Sequence, residues 1–311
     1  MKSQILDESN DSEGSSAFHM NPEMKLGAPT LRVRDLAREL AFYQAEFGLH
    51  ILRSYKDMGL EVVELGFENQ KDPLLKLRHD PSAKSPAHDF AGLYHYAVLV
   101  PDRKSLACTY LAVGNSGAPY DGFADHTVSE SLYLPDAEAN GIEIYADRPR
   151  ETWAKFKDAM NSENRENFSR LNRPLDFNSL LKELSSEERK NPSPFPSGAR
   201  IGHMHLRVTN LERSVHFYNE KLGLDIIGNL SEIGAAFLST GGYHHHVGLN
   251  TWHSLDGTPR QDNDVGLDEF KIIVPEKTIA ELEREFPNSR SGDRKLSIRD
   301  PDGIRIFIEA A

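Results

Sequence analysis

LRVRDLARELAFYQAEFGLHI (31–51) and LRVTNLERSVHFYNEKLGLDI (206–226) are two copies of one pattern. Phe42-Tyr43 matches Phe217-Tyr218, and Gly48-Leu49 matches Gly223-Leu224. Self-similarity of this kind marks duplicated structural units. Each copy opens as a strand and continues as an amphipathic helix. After Asp35, the apolar residues Leu36, Leu40, Tyr43 and Phe47 fall at three-to-four spacing. The copies differ just upstream, where the later begins Gly202-His203 and the earlier Gly27-Ala28. A duplicated scaffold with the histidine in one copy only points to a metal site built in one place and left blank in the other.

Working outward, the same grammar of strand, helix and further strands describes four units. The first runs from about Leu26 to Leu77, and the second from Gly92 to about Arg148. The third spans Arg200 to Trp252 and the fourth Gly266 to Glu309. Units two and four are also related. LYHYAVLVP (93–101) aligns with LDEFKIIVP (267–275), which sets Glu269 against His95. Their closing strands follow Asp turns, YLPDAEANGIEIY and IRDPDGIRIFI; aligned on Asp136 and Asp300, Glu143 stands against Phe307. The segment from Pro149 to Ser197 between units two and three is polar, with a helix expected near Phe177–Leu184 and a Pro/Ser break at Pro192–Pro196. It reads as a surface element or lid.

Composition narrows the function classes. The 311 residues allow about two domains, and 38% apolar residues suffice for a packed core. A net charge of −12 with no basic block argues against a nucleic-acid partner. Cys108 is the single cysteine, so no intrachain disulfide framework exists and a reducing compartment is the simpler expectation. No apolar run approaches the roughly 20 residues that span a bilayer. Residues 1–24 are acidic and Ser-rich and lack a signal-peptide core, so they read as a flexible tail. A cytoplasmic protein without a membrane partner is expected.

Strand alternation then sorts the candidate site residues. His203, His205 and Arg207 share one face, while Met204, Leu206 and Val208 share the other and can pack beneath a helix. A solvated sheet face is the bland alternative for His205 and Arg207. Glu143 lies between Ile142 and Ile144, and a carboxylate buried there without a partner costs several kcal/mol. It calls for a cation, a metal or water. In the run His244-His245-His246, alternation favours His244 and His246 with Asn250, unless a bulge intervenes. Cys108 reads as a small buried filler, and Trp153 and Trp252 as packing or pocket-wall residues.

The strings GLYHYAVLVPDR, HTVSESLYL, NGIEIYADRP, IGHMHLRV and GYHHHVGLN together resemble the vicinal oxygen chelate superfamily, and within it the two-domain extradiol catechol dioxygenases of the catechol 2,3-dioxygenase type. The resemblance covers about residues 25–147 and 200–310. It implies an α+β fold of four βαβββ units forming two half-barrel domains, at 25–148 and 200–311, with 149–199 as an insert or linker. It implies a metal held by His95, Glu143 and His203, the two-histidine, one-carboxylate set that leaves open positions on Fe(II), with Mn(II) as the alternative. His245 takes the place of the histidine that moves protons, with His246 as the alternative favoured by alternation. His126 and Tyr133 take the places of residues that hydrogen-bond the substrate. The implied partners are a small aromatic diol and dioxygen, the implied product a ring-opened muconic semialdehyde, and the implied assembly a homo-oligomer. Better-known members build the site from units three and four. Here only units two and three carry a full ligand set, so two must pair with three and one with four. A glyoxalase-like isomerase or transferase, and a non-catalytic sequestering protein, are the rival expectations on the same scaffold.

Overall fold

The computed structural model describes residues 18–311 except 69, 87, 154–155, 157–159, 161–171, 194 and 197. Most of the tail at 1–24 therefore lies outside the described residues.

Unit one comprises β1 (Lys25–Val33), helix α1 (Leu36–Phe47), β2 (His50–Asp57), β3 (Leu60–Gly66) and β4 (Leu75–His79). Unit two comprises β5 (Gly92–Leu99), α2 (Arg103–Ser116), β6 (Gly122–Asp125), β7 (Ser129–Pro135) and β8 (Gly141–Asp147). The insert adds α3 (Phe177–Leu181) and α4 (Ser186–Lys190). Unit three comprises β9 (Arg200–Arg207), α5 (Leu211–His216), β10 (Asp225–Leu230), β11 (Ala235–Ser239) and β12 (Val247–Asn250). Unit four comprises β13 (Gly266–Val274), α6 (Glu276–Glu285), β14 (Arg290–Gly292), β15 (Lys295–Arg299) and β16 (Arg305–Ala310). The helices start where side chains can satisfy free backbone N–H groups: Asp35, Asp102 and Asn210 each accept from the third residue onward.

Two eight-stranded sheets result. One has the order β14-β15-β16-β13-β1-β4-β3-β2, the other β10-β11-β12-β9-β5-β8-β7-β6. Unit one thus joins unit four through antiparallel β1 and β13, and unit two joins unit three through antiparallel β5 and β9. This is the pairing that the ligand positions required. One apolar cluster joins the two sheets: Leu31 and Val33, Tyr96 and Val98, Ile142 and Ile144, Met204 and Leu206 all belong to it. The opposite face of the second sheet is left for polar side chains. Among the described residues no helix is long and apolar enough to cross a membrane.

The insert is more than a surface element. Leu175, Leu180, Leu184 and Phe195 join the main core, and Phe195 stacks edge-on with Phe47 at 4.9 Å. Trp153, Phe156 and Met160 form a second cluster with Val128 and Tyr243. A few widely spaced anchors do this in a polar segment, so average composition hides them. The helix near its middle ends at Leu181, short of Leu184. Cys108 is partly rather than fully buried.

Candidate metal centre

Three strands place the candidate ligands. β5 and β9 are antiparallel with His95 opposite His205 and Ala97 opposite His203, and β5 and β8 are parallel with Ala97 opposite Glu143. Ala97 therefore lies between His203 and Glu143 on the same face, where its single methyl leaves room for what they hold. Gly202, just before His203, is required by close packing: a Cβ there would collide with the Tyr145 hydroxyl. In the other sheet, Lys271 and Phe307 occupy the positions of Ala97 and Glu143, and the lysine ammonium lies 5.8 Å from the centre of the phenyl ring.

The ligand atoms of His95, Glu143 and His203 all lie within 4.8 Å of one another. Glu143 Oε2 is 2.9 Å from His95 Nε2 and 3.1 Å from His203 Nε2. Glu143 Oε1 accepts a hydrogen bond from Ser131 Oγ at 2.6 Å. All three residues are buried, at 5%, 3% and 1% exposure. Burial raises the Glu143 pKa, but His203 and His95 outweigh it and hold the carboxyl well below its usual range. Burial lowers His203 to about 4 despite the neighbouring carboxylate. Glu143 is thus an ionised carboxylate and His203 a neutral imidazole, the protonation that a divalent cation requires of such ligands. No lysine or arginine pairs with Glu143 among the described residues, and His95 Nε2 lies beside the carboxylate in a geometry that makes no hydrogen bond. A buried, orphaned imidazole nitrogen aimed at a buried carboxylate fits a metal ion better than it fits a structural hydrogen bond.

A cavity of about 530 Å³ opens on this group. Its walls include His95 and Glu143, and also His126, Tyr133 and His245. Tyr133 pairs with Glu143 across β7 and β8, which is why a residue three before the Asp136 turn comes to the ligands. The Tyr133 hydroxyl lies 2.7 Å from His126 Nε2. Burial, and then the Glu143 charge, push Tyr133 far above its usual pKa, and burial lowers that of His126. Both are therefore neutral near pH 7, with an O–H able to donate.

The histidine run precedes β12 and lies in a turn, so strand alternation does not govern it. His245 lines the cavity and packs against His203, their ring centres 4.1 Å apart. Its Nδ1 lies 2.8 Å from His244 Nδ1, and His244 Nε2 lies 2.9 Å from Asp147 Oδ1. Burial, with the charges of His203 and His244, holds His245 well below the ordinary imidazole pKa. His246 is not among the lining residues; its Nδ1 is 2.8 Å from Ser239 Oγ.

Of the other wall residues, the sequence placed His205 on the strand face of His203 and Trp252 as a packing or pocket-wall residue, whereas Tyr94 and Phe237 were not expected from it. His205 is buried at 5% exposure, 4.8 Å ring to ring from His95 and held by Asn250 Nδ2 at 3.1 Å, so the solvated-face reading fails for it. Its signal was the i, i+2 spacing from His203. Tyr94, Phe237 and Trp252 also line the cavity, as do Phe156 and Met160 from the insert.

Comparison with known proteins accords with this geometry. A model of the Glyoxalase/Bleomycin resistance protein/Dioxygenase superfamily matches residues 25–158 and 200–262. The chain belongs to this superfamily. It is similar to the catechol-2,3-dioxygenase of Bacillus subtilis (strain 168), with 38% identity over 264 residues, 85% of this chain and 87% of that protein. Among solved structures, a protein of Bacillus subtilis subsp. subtilis str. 168 superposes with a TM-score of 0.58 at 13% identity, covering 92% of this chain and 84% of that one. Glyoxalase I from Zea mays gives 0.53 at 16% identity, covering 92% of both chains. At such identities these two likenesses concern the fold alone. The superfamily match ends within the loop before unit four, which completes the blank sheet.

Proposed function

We propose that this protein is a metal-dependent extradiol dioxygenase that opens the ring of a catechol with dioxygen to a muconic semialdehyde. The observation that carries the reading is the buried carboxylate set between two buried imidazoles, one of them without a hydrogen bond, at the wall of a cavity that also offers aromatic and proton-transferring side chains. The 38% identity to a catechol-2,3-dioxygenase supports it across most of the chain. Three protein groups, rather than four, meet at this point among the described residues. That favours a centre with positions open to substrate over the closed, redox-inert centre of an isomerase.

His95, Glu143 and His203 would hold Fe(II), with Mn(II) as the alternative. When bound, such an ion acidifies the diol hydroxyls and holds both reactants at one centre. The protein's own groups do the rest. His245, neutral and in the wall, accepts a proton from the diol at its free ring nitrogen and returns it later as general acid. The Asp147–His244 pair fixes the orientation of that ring. Tyr133, kept protonated, donates a hydrogen bond to a substrate oxygen, and His126 orients the Tyr133 hydroxyl. Tyr94, Phe237, Phe156 and Met160 exclude water from the ring.

The test is an oxygen-uptake assay of Fe(II)-loaded protein with catechol, read in parallel by the absorbance of a yellow ring-fission product. One dioxygen consumed per catechol is expected. Stoichiometric iron with no oxygen uptake and no product would overturn the proposal.

A further inference from the structure

The blank sheet serves as an internal control for the cavity. In the duplicated strands, Arg32 and Arg207 are the same residue of the same repeat. Arg32 is buried and ion-paired, with Asp80 at 2.6 Å and with Asp268, which Arg78 and Arg260 share, at 3.2 Å. Both acids have counterparts near Arg207, and both counterparts are aromatic. The alignment of units two and four sets Asp268 against Tyr94. Arg32 stands opposite Arg78 in β4 and Arg207 opposite Asn250 in β12, so two residues further on Asp80 corresponds to Trp252. Tyr94, Trp252 and Arg207 all line the cavity.

Arg207 is consequently a half-buried cation without a counterion. Among the described residues no carboxylate lies within ion-pair distance, and its Nε is buried without a hydrogen-bond partner. The guanidinium lies 5.5 Å from the centre of the Phe90 ring and 5.6 Å from that of Tyr94, which compensates only in part. Asp121, an acid in the same wall, is exposed and makes no ion pair with it. A desolvated cation left unpaired is unfavourable unless a ligand completes it. His203 and Arg207 stand four positions apart on β9, about 13 Å along the strand at roughly 3.3 Å per residue. An aromatic ring with a short acidic side chain, met by a ligand side chain at one end and the guanidinium at the other, spans that interval.

We infer that Arg207 anchors a carboxylate on the substrate, so that the preferred diols are catechols bearing a short acidic side chain. The inference rests on the reading that the diol binds at His95, Glu143 and His203. Tyr94 and Trp252, whose rings lie 5.3 Å apart, have given up the acids of the blank sheet and leave the arginine free for the ligand.

The test uses Fe(II)-loaded protein without oxygen, titrated calorimetrically with catechol, 3,4-dihydroxyphenylacetate and the methyl ester of that acid. The acid should bind about 10- to 100-fold more tightly than the ester, the range expected of one charged hydrogen-bonded pair. Arg207→Gln should bring that ratio close to one, and Arg207→Lys should retain part of it. Trp252→Asp, which restores a counterion in the manner of Asp80, should also abolish the preference although Arg207 is intact. Iron content and melting temperature verify that each variant is folded. Equal binding of acid and ester to the unaltered protein, or a ratio that Arg207→Gln leaves unchanged, overturns the inference while the diol reading stands. If none of the three diols binds the iron-loaded protein, the diol reading falls and this inference with it.

Discussion

At the scale of single residues, the candidate centre depends on groups that differ in what their loss should do. Glu143 contributes charge that neither imidazole replaces, and Ser131 already holds its second oxygen. Glu143→Gln keeps the shape and removes the charge, so bound iron should fall to a small fraction of one per chain while the fold persists. Metal analysis of the purified variant checks this; full iron occupancy in Glu143→Gln would exclude the carboxylate as a ligand. His245 touches the ligand set only through ring packing on His203. His245→Ala should therefore retain near-stoichiometric iron and lose roughly 10²–10⁴-fold in turnover, the usual cost of removing a general acid or base. His246→Ala, with its imidazole against Ser239, should be much milder, and the opposite ranking would move the proton-transfer role to His246. The candidate ligands were legible in the sequence because duplicated strands can be laid on one another, so that a histidine against an alanine stands out. Tyr94 and Phe237 were not, because the pairings of β5 with β9 and of β11 with β12 bring them to the cavity, and no local pattern encodes either.

At the scale of elements, the duplication repeats a buried tie between helix and turn. The Tyr43 hydroxyl donates to Asp136 at 2.9 Å, and that of Tyr218 donates to Asp300 at 3.0 Å. Each tie docks the helical segment of one unit on the final turn of the next. The two turns also match. Asp136 accepts from the backbone N–H groups of Glu138 and Asn140, and Asp300 from those of Asp302 and Ile304. Ala139 adopts φ 67°, where the other turn has Gly303 at 84°, so DAEANG reproduces the DPDG turn without its glycine. The alignment on Asp136 and Asp300 was legible, whereas their tyrosine partners, distant in sequence, were not. Burial, with the charge of Asp302, raises Asp300 from 3.8 to about 7. The folded state thus keeps a proton that the unfolded chain has released, so stability from this group is present below about pH 4 and is lost as pH rises to about 7. In chemical denaturation from pH 4.5 to 8, the stability of the unaltered protein relative to Asp300→Asn should fall with rising pH. A difference that stays flat or grows would show that Asp300 ionises normally in the folded protein.

At the scale of the whole molecule, the candidate centre belongs to neither half of the chain alone. His95 and Glu143 precede the insert and His203 follows it, and the sheet that brings them together closes only where β5 meets β9. The other sheet is likewise divided, closing where β1 meets β13. Four units were legible from repeats, and their crossed pairing from the positions of the candidate ligands. The role of the insert was not, because Phe195, Leu180 and Trp153 are apolar anchors dispersed through a charged segment. A chain divided within the insert would leave each half with open strand edges at β1 and β5, or at β9 and β13, and with an incomplete ligand set. Exposed edges of this kind favour aggregation. Fragments 1–160 and 172–311 produced separately should therefore be poorly soluble and should bind no more than trace iron. Produced together, they should copurify and recover iron binding, because the antiparallel pairings and the shared core supply the contacts that a covalent link otherwise only makes more probable. Gel filtration with metal analysis reads both properties. A soluble 1–160 fragment that binds one iron by itself would mean that His95 and Glu143 find their third ligand within units one and two, and the division of the centre between halves would be wrong.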